Sequence, residues 1–282
     1  MPPILIKLLW GFIKITKNDI VILMNIVLFS ETEINQPLSL KDERGKHIIK
    51  VLHKKVGETF EAGIINGEAG LSTITQIDEN FIHFDFSPKT DGKLLHPVTL
   101  IVGFPRPIQL KRLFRDVAGL GVEKLYLCGT ELGEKSYMDS NIVSGGAAEK
   151  ALLEGTVQAK STHVPELKLF SSVKECLSFV KSEYQIDEKN VDKFNIKSIL
   201  DNVKPKGSLF SFLQKELKNI DQNQTKPYIY AAIGSERGWT DNERELFEKE
   251  GFASCSMGER VLRTETAATV ATTLIMQSLE IL

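Results

Sequence analysis

The sequence predicts a small β-domain followed by a larger α/β domain. Short β-rich runs between turns fill the chain up to about Pro97, and alternating strand and helix patterns fill the remainder. The 282 residues agree with two domains, since one domain averages about 150 residues. A composition of 42% hydrophobic and 26% charged residues is that of a globular protein with a sizeable core, and it excludes disordered and collagen-like chains.

The net charge and the cysteines exclude several classes of protein. A net charge of -2 provides no general attraction to nucleic acid, so an RNA site would have to be a local patch. Cys128, Cys176 and Cys255 are widely spaced and form no CxxC pair, which argues against a disulfide framework and a zinc site. We therefore expect a cytoplasmic protein without a bound metal ion.

The first 23 residues form a separate segment. They are apolar from Ile4 to Ile15, but Lys7 and Lys14 interrupt the run and no small-residue cleavage site follows. A membrane-spanning helix needs about 20 largely uncharged residues, so we expect no transmembrane helix. Residues 1–23 are predicted to be an appendage or the product of a misassigned start, with the functional protein beginning at Met24.

Residues 24–97 have the pattern of a small β-barrel or β-sandwich. A first strand is predicted at Asn25–Phe29. Three further β-rich runs are predicted to be strands at Thr59–Ile65, Leu71–Ile77 and Phe81–Phe86. The dipeptides Asn66-Gly67 and Glu79-Asn80 separate them, and Asn-Gly is a residue pair that tight hairpin turns favour.

Residues 98–282 have the pattern of an α/β domain. A βαβ unit opens it, with predicted elements at Val98–Phe104, Gln109–Ala118 and Lys124–Cys128. Helices are predicted next at Ala147–Gln158 and Ser172–Ser182. Strands at Tyr228–Ile233 and Phe252–Ser256 then alternate with helices at Asp241–Lys249 and Thr264–Leu279. Thr240 and Glu243 have the spacing of a capping box. The region near 183–226 is polar with little periodicity and is predicted to be an insertion or a mobile connection.

Two segments that follow the last two strands are candidates for a binding site. Ile233–Gly238 follows one strand, and Ser256–Ala267 follows the other. Ligands of open α/β sheets bind at the carboxyl ends of strands, where glycines allow the backbone to approach closely. The alternative is a pair of ordinary strand-to-helix turns, which the glycines alone do not exclude.

Arg260, Arg263 and Glu265 concentrate charge beside the second of these turns. Two permanent cations and a carboxylate stand there at the start of the final helix. They are candidate catalytic residues, and the alternative is an ion-paired cluster with a structural role.

The segments IGSERGWTDNE, from Ile233, and MGERVLRTETA, from Met257, closely resemble the RsmE family of ribosomal RNA uridine-N3 methyltransferases in the SPOUT superfamily. The resemblance covers residues 24–282. HIIKVLHKKVGE, from His47, is similar to the signature of the family's PUA-like barrel. GLGVEKLYL, from Gly119, is similar to the first βαβ unit of its methyltransferase domain.

The resemblance implies a PUA-like β-barrel for RNA binding, followed by a SPOUT α/β domain with a C-terminal trefoil knot, an exception to the rule that folds are unknotted. It implies a homodimer that binds S-adenosylmethionine in the knot and methylates uridine N3 in small-subunit (16S) ribosomal RNA. The residues expected to contact the cofactor, mainly through backbone groups, are Ile233, Gly234, Glu236, Gly238, Met257, Gly258, Val261 and Leu262.

The implied reaction requires little covalent chemistry from the protein. The methyl group of the cofactor is already activated, so the protein has to align the uracil nitrogen with it and favour loss of the N3 proton. Arg260 or Arg263 could stabilise the anionic uracil. Glu265 or Glu236 could accept the proton or orient the arginines. The sequence leaves these roles open.

Five positions depart from the family's pattern. Ser235 replaces a proline and Arg237 a glycine in the glycine-rich loop, so a less pre-organised loop is expected. His53 and Ser161 stand where the family has arginines, and Arg106 replaces a lysine. These changes fit a divergent member with the same target, an enzyme that acts on another RNA position, or a protein that keeps the fold with weakened activity.

Two clusters of basic residues are candidates for contact with RNA phosphates. The residues expected to make these contacts are Arg44, Lys46, Lys50, Lys54, Lys55, Arg106 and Arg112. The alternative, a solvated charged face, is less favoured because both clusters stand out in a slightly acidic chain.

The final helix bears on the oligomeric state, and the absence of one motif bears on the class of enzyme. Thr264–Leu279 carries more apolar residues than a narrow stripe requires, which favours burial in a homodimer over burial within a monomer. A dinucleotide-dependent oxidoreductase is disfavoured, because no Gly-x-Gly-x-x-Gly fingerprint follows the first α/β strand.

Overall fold

The computed structural model contains two β-sheets. The residues that it describes are 25–140, 146–187, 194–220 and 227–282. The strands of the first sheet lie between residues 27 and 90, and the second sheet begins at His96. The change of sheet is therefore close to the domain boundary expected between residues 97 and 98. The predicted appendage, residues 1–23, lies outside the described residues.

The first sheet has five strands in the described residues. They are β1 (Val27–Phe29), β2 (Leu38–Ser39), β3 (Thr59–Ile64), β4 (Ala69–Ile77) and β5 (Phe81–Thr90), in the order β1-β3-β4-β5-β2. β1 pairs in parallel with β3, and the other neighbours are antiparallel. Alternate residues at the start of β5, Ile82 and Phe84, face the core, where Phe29 and Phe60 pack on Phe84 with ring centroids 5.0 and 5.8 Å away.

A short helix connects β2 to β3. It comprises α1 (Glu43–Lys46), which continues as a π-helical turn at His47–Val51. Asp42 caps α1 because its carboxylate accepts a hydrogen bond from the Arg44 amide at 2.8 Å. The segment is too short to show a helical periodicity, so the sequence predicts no element here.

The second sheet has six described strands, all parallel. They are β6 (His96–Gly103), β7 (Val122–Cys128), β8 (Glu166–Phe170), β9 (Asn195–Leu200), β10 (Tyr228–Ile233) and β11 (Ala253–Cys255), in the order β11-β9-β10-β6-β7-β8. The helices are α2 (Pro107–Gly119), α3 (Ala147–Gln158), α4 (Val173–Asp187), α5 (Leu209–Lys218), α6 (Asp241–Lys249) and α7 (Thr264–Ser278). Central strand β10 is buried along its whole length, because helices cover both faces of the sheet.

Two predicted helices have the bounds that the sequence gives, α3 and α6. The capping box of α6 is confirmed. The Thr240 hydroxyl accepts the Glu243 amide at 3.2 Å, and the Glu243 carboxylate accepts the Thr240 amide at 2.9 Å.

The predicted polar insertion near 183–226 is wrong for its described part. β9 lies inside this range and is an inner strand that pairs in parallel with both β10 and β11. α5 also lies inside it and packs on α7. The sequence hides β9 because polar residues interrupt its apolar ones. Residues 188–193 and 221–226 of this range lie outside the described residues.

α7 is buried within its own chain. Its core residues are Ala267, Ala268, Ala271, Ile275 and Met276, which pack with α2, α5 and the sheet. Val270 and Leu274 are partly buried. The apolar excess that favoured a homodimer is therefore accounted for inside one chain, and the homodimer stays a prediction from the resemblance.

The segment after α3 joins the two domains. The Thr162 hydroxyl donates a hydrogen bond to the Gly67 carbonyl at 2.6 Å. Ser161 is 7% exposed and donates to the Lys93 carbonyl at 3.0 Å. Ser161 therefore belongs to the domain junction, whereas the resemblance suggested an altered contact with RNA.

Candidate active site

The carboxyl ends of β9, β10 and β11 lie side by side and frame a cleft of about 250 Å³. All eight residues predicted to contact a cofactor line it, namely Ile233, Gly234, Glu236, Gly238, Met257, Gly258, Val261 and Leu262. β9 separates the two strands that carry these residues, and parallel pairing directs all three strand ends to the same edge.

The first wall of the cleft is the tight turn from Gly234 to Gly238. The Gly238 amide donates a hydrogen bond to the Ser235 carbonyl at 2.9 Å. Gly238 has φ +73°, which a side chain would strain, and a Cβ on Gly234 would lie 3.0 Å from the Gly238 Cα. The Thr264 hydroxyl donates to the Gly234 carbonyl at 3.2 Å. Glycine at both ends therefore permits the close backbone approach.

A second wall, which the sequence motifs do not predict, is the segment after β9. Asp201 lines the cleft, and the Arg244 Nε donates to its carboxylate at 2.7 Å. Burial by itself would raise the pKa of Asp201, but the hydrogen bonds from Arg244 and from two backbone amides outweigh it and lower this pKa. The Trp239 indole donates to the Leu200 carbonyl at 3.1 Å. The feature of the sequence that could have indicated Asp201 is its position directly after the run NIKSIL, which forms β9.

The three catalytic candidates occupy different surroundings. Arg260 is exposed and lines the cleft. Arg263 is exposed at the N-cap of α7, and it does not line the cleft. Glu265 is 2% exposed in the first turn of α7, and no described residue donates a hydrogen bond to its carboxylate. The structure therefore brings only the first of the three to the cleft.

Glu236 is the predicted acid on the cleft wall. Its Oε1 accepts a hydrogen bond from the Arg106 amide at 3.1 Å and lies 3.5 Å from the Arg106 Nε. Arg106, a candidate for RNA contact, therefore also fixes the orientation of this carboxylate.

The basic cluster around α1 divides into engaged and free cations. Arg44 pairs with Glu33 and Asp42 at 2.8 Å and lies over the Phe29 ring at 5.1 Å. These contacts hold its guanidinium inside the β-domain. Lys46 pairs with Glu43 at 2.6 Å.

The other candidates for phosphate contact are less engaged in ion pairs within the chain. In the described part of the chain, Lys50, Lys54 and Lys55 have no ion-pair partner, and Arg112 has only a long 3.5 Å contact with Asp116. His53, between these lysines, is exposed and has φ +52°.

Two family models match the sequence. The description of one is an RNA methyltransferase PUA domain, matching residues 40–87, and that of the other is an RNA methyltransferase domain, matching residues 93–276. A relative from Treponema pallidum, named ribosomal RNA small subunit methyltransferase E, is 38% identical over 257 residues, which are 90% of this chain and 91% of the relative. The chain belongs to the ribosomal RNA small subunit methyltransferase E (RsmE) family. A further RsmE relative, ribosomal RNA small subunit methyltransferase E 1 of Borreliella burgdorferi, is 31% identical over 90% of this chain and 98% of its own.

Solved structures share the fold of this RsmE chain. The Neisseria gonorrhoeae ribosomal RNA small subunit methyltransferase E bound to S-adenosyl methionine has a TM-score of 0.64 at 22% identity, covering 91% of this chain and 98% of that chain. A probable rRNA-methyltransferase from Porphyromonas gingivalis has a TM-score of 0.68 at 18% identity, covering 90% and 98%. The mixed α/β architecture with a PUA-like domain is thereby confirmed.

No described helix is both long and apolar enough to cross a membrane. No group of three or more His, Cys, Asp or Glu side chains within the described residues could hold a metal ion.

Proposed function

We propose that this RsmE member transfers the methyl group of S-adenosylmethionine to N3 of a uridine in small-subunit ribosomal RNA. The observation that carries the proposal is the cleft at the ends of β9, β10 and β11, where both motif segments meet. The names of the T. pallidum and B. burgdorferi relatives support the class of RNA, and the cofactor bound to the N. gonorrhoeae protein supports the methyl donor. Uridine N3 rests on the family resemblance.

The residues that line the cleft fit a nucleoside-type cofactor. Ile233, Met257 and Leu262 offer apolar surface to a flat purine, and the two glycine turns offer backbone hydrogen-bonding groups. Gly258, like Gly238, has a positive φ, at +113°, so both turns present main chain rather than side chains. When bound, S-adenosylmethionine supplies a methyl group that its sulfonium activates. We assign the eight lining residues predicted from the sequence to cofactor binding.

The charged residues of the cleft suit the loss of the uracil proton. Arg260 is the cation that we assign to stabilising the negative charge on the uracil ring. Glu236, oriented by Arg106, is the carboxylate that we assign to accepting the proton. Arg263 is exposed at the start of α7, where incoming RNA can reach it, and we assign it to substrate contact.

We further propose that the C-terminal segment is threaded into a trefoil knot. The chain after β11 lies against two earlier loops. The Ser256 amide donates to the Gly207 carbonyl at 2.8 Å on one side, and Thr264 donates to the Gly234 carbonyl at 3.2 Å on the other. A chain segment enclosed by two earlier loops is the arrangement that threading requires.

A cytoplasmic homodimer completes the proposal. Val261 and Val203 are 76% and 66% exposed, and both line the cleft. Large apolar side chains with such exposure at a cleft suit a surface that a second subunit covers.

Ribosomal RNA, in the small subunit or its precursor, is the proposed partner. The proposed location is the cytoplasm, because free thiols at all three cysteines suit a reducing compartment.

The experiment that tests the function has two parts. Isothermal titration of the purified protein with S-adenosylmethionine should give saturable heat, and the ligand should raise the melting temperature. Modified nucleosides from ribosomal RNA of a strain lacking the protein should lack one N3-methyluridine of the small subunit.

The outcomes separate the alternatives. Binding with loss of a different methylated nucleoside would redirect the substrate. No heat, no stabilisation and an unchanged nucleoside profile would favour a ribosome-assembly protein that keeps the fold.

A further inference from the structure

The loop after β7, residues 129–134, packs directly against the turn Gly234–Gly238. We call them the β7 loop and the cofactor loop. Neither the reaction nor the family motifs assign a role to the β7 loop. On one side the β7 loop is hydrogen-bonded to a buried carboxylate, and on the other side it contacts the cofactor loop.

The anchor of the β7 loop is a buried carboxylate. Glu243 is 1% exposed, and its Oε1 accepts the Glu131 amide at 2.9 Å while its other oxygen caps α6 through Thr240. The Gly129 amide also donates to the Phe170 carbonyl at 3.0 Å. A hydrogen bond to a buried charged group is among the stronger ones, so the β7 loop is held firmly to the body of the domain.

Side chains at positions 130 and 237 then join the β7 loop to the cofactor loop, and one of their contacts is a long hydrogen bond from the Arg237 guanidinium to the Leu132 carbonyl at 3.5 Å. The Thr130 hydroxyl donates to the Ser235 Oγ at 3.0 Å, and Ser235 is 7% exposed. Arg237 pairs with Glu134 at 3.0 Å, but these side chains are 66% and 51% exposed. An exposed pair contributes little because water screens it, so the hydroxyl contact is the stronger link.

The atoms at this contact are closely packed, without room for an added methyl group. A Cβ on Gly103, the last residue of β6, would lie 2.5 Å from the Ser235 amide nitrogen and 2.7 Å from the Thr130 Cγ2. The end of β6 and both loops therefore meet within van der Waals contact. A shift of the β7 loop would be transmitted to the backbone that lines the cleft.

We infer that Thr130 is a positioning residue that holds the cofactor loop in its binding conformation through the Ser235 hydroxyl, with Glu243 as the anchor. The inference rests on the proposed binding of S-adenosylmethionine to this loop. Serine at position 235 lacks the fixed φ of a proline, and the hydroxyl contact supplies the restraint from outside the loop. A binding loop held in place loses less conformational freedom when its ligand binds, so affinity rises without any new contact to the ligand.

A double-mutant cycle tests the inference. Thr130→Val keeps the shape and removes the hydroxyl, and Ser235→Ala removes its partner. Each single variant should raise the dissociation constant for S-adenosylmethionine by about threefold to tenfold, the effect of one hydrogen bond. The double variant should bind no more weakly than the weaker single variant, because either change breaks the same contact.

Two further readouts distinguish positioning from a general loss of structure. Thr130→Ser, which restores the hydroxyl, should recover the affinity of the unaltered protein. The KM for S-adenosylmethionine should rise in Thr130→Val while kcat at saturating cofactor stays unchanged. Ser178→Ala removes a hydroxyl on α4 that donates to the Lys174 carbonyl, and this matched control should change neither constant.

The results that would overturn this inference differ from those that would overturn the proposed function. Unchanged affinity in both single variants, or additive losses in the double variant, would overturn the inference while the proposed function stands. Absence of binding by the unaltered protein would overturn the proposed function and the inference together.

Discussion

At the residue scale, the surroundings of a side chain decide which of several similar residues can act. The RVLRTETA segment places two arginines and a glutamate within six positions. Arg260 faces the cleft, whereas Glu265 is turned into the protein by the first turn of α7. Glu265 is 2% exposed as a residue, but its carboxylate oxygens are not among the fully buried, unpartnered polar atoms of the described residues. Its place in a functional motif makes its charge worth testing.

Glu265→Gln is expected to lower methyl transfer without lowering stability. The substitution keeps the shape of the side chain, and the carboxylate oxygens are not fully buried and unpartnered, so the melting temperature should change little. Glu265 is a catalytic candidate from the sequence although it does not line the cleft, and a fall in methyl transfer of about 10²-fold would assign its charge to the reaction. Single-turnover assays and thermal unfolding measure the two effects.

Glu243→Gln is the matched control, because Glu243 is equally buried but accepts hydrogen bonds from Glu131 and Thr240. This control should lose thermal stability. An equal loss in Glu265→Gln would show that Glu265 has a structural role.

At the element scale, the connection between β2 and β3 combines an anchored helix with an exposed basic segment. Arg44 in α1 makes three kinds of contact within the β-domain, with carboxylates, a backbone carbonyl and the Phe29 ring. Lys50, inside the π-helical turn, and Lys54 and Lys55, after it, lack ion-pair partners among the described residues. The element therefore presents a fixed array of free cations to solvent.

Replacing Lys50, Lys54 and Lys55 together with alanine should weaken RNA binding and reduce its dependence on salt. Each lost phosphate contact should lower the slope of log affinity against log salt by about one. Filter binding over a range of salt concentrations measures the slope. Alanine at Lys174, Lys215 and Lys218, on α4 and α5, gives the same change of charge as a control. Equal slopes in the two triple variants would show that the first three lysines are only solvated.

The anchoring of α1 should make the stability of the β-domain sensitive to acid. The hydrogen bond from Arg44 lowers the pKa of Glu33 from its ordinary value of 4.5 to about 2. The folded state then binds this proton less readily than the unfolded state, so the stabilisation is complete above about pH 4.5 and is lost as the pH falls toward 2.

The difference in unfolding free energy between the unaltered protein and Glu33→Gln should therefore shrink over this range of pH. It should remain below about 1 kcal/mol, because the Glu33 side chain is 47% exposed and water screens the pair. Urea denaturation at several pH values measures it. A difference that grows on acidification would contradict the assigned ion pair.

At the scale of the whole molecule, the α/β sheet brings three distant segments into one cleft, and the junction around Thr162 joins it to the β-domain. One face of α7 is packed inside its own chain, and the opposite face, with Thr273 and Gln277, is exposed. Val261 and Val203 supply exposed apolar surface at the cleft.

Light scattering should give a mass of about twice the 31.6 kDa of one chain at micromolar concentration. Val261→Glu should shift the equilibrium toward the monomer, because it places a charge in the proposed interface. Leu94→Glu is the matched control, since Leu94 is 66% exposed and lies between the two sheets along the chain. A monomeric unaltered protein would remove the homodimer from the proposal.

The sequence by itself determined the two-domain order, most strands and helices, and the two strand-end segments that meet in the cleft, while the resemblance to a family singled out eight residues within them. It could do so because these features depend on local patterns: apolar runs for buried strands, a capping box for α6, and glycines at strand ends. The tertiary structure alone decided that β9 lies between the two motif strands, that Asp201 joins the cleft, and that Arg44 and Ser161 serve the fold. It also decided that Glu265 is buried and that Thr130 meets Ser235. The physical reason is that pairing between distant strands and the burial of one side chain by another depend on residues far away in the chain, which no local pattern encodes.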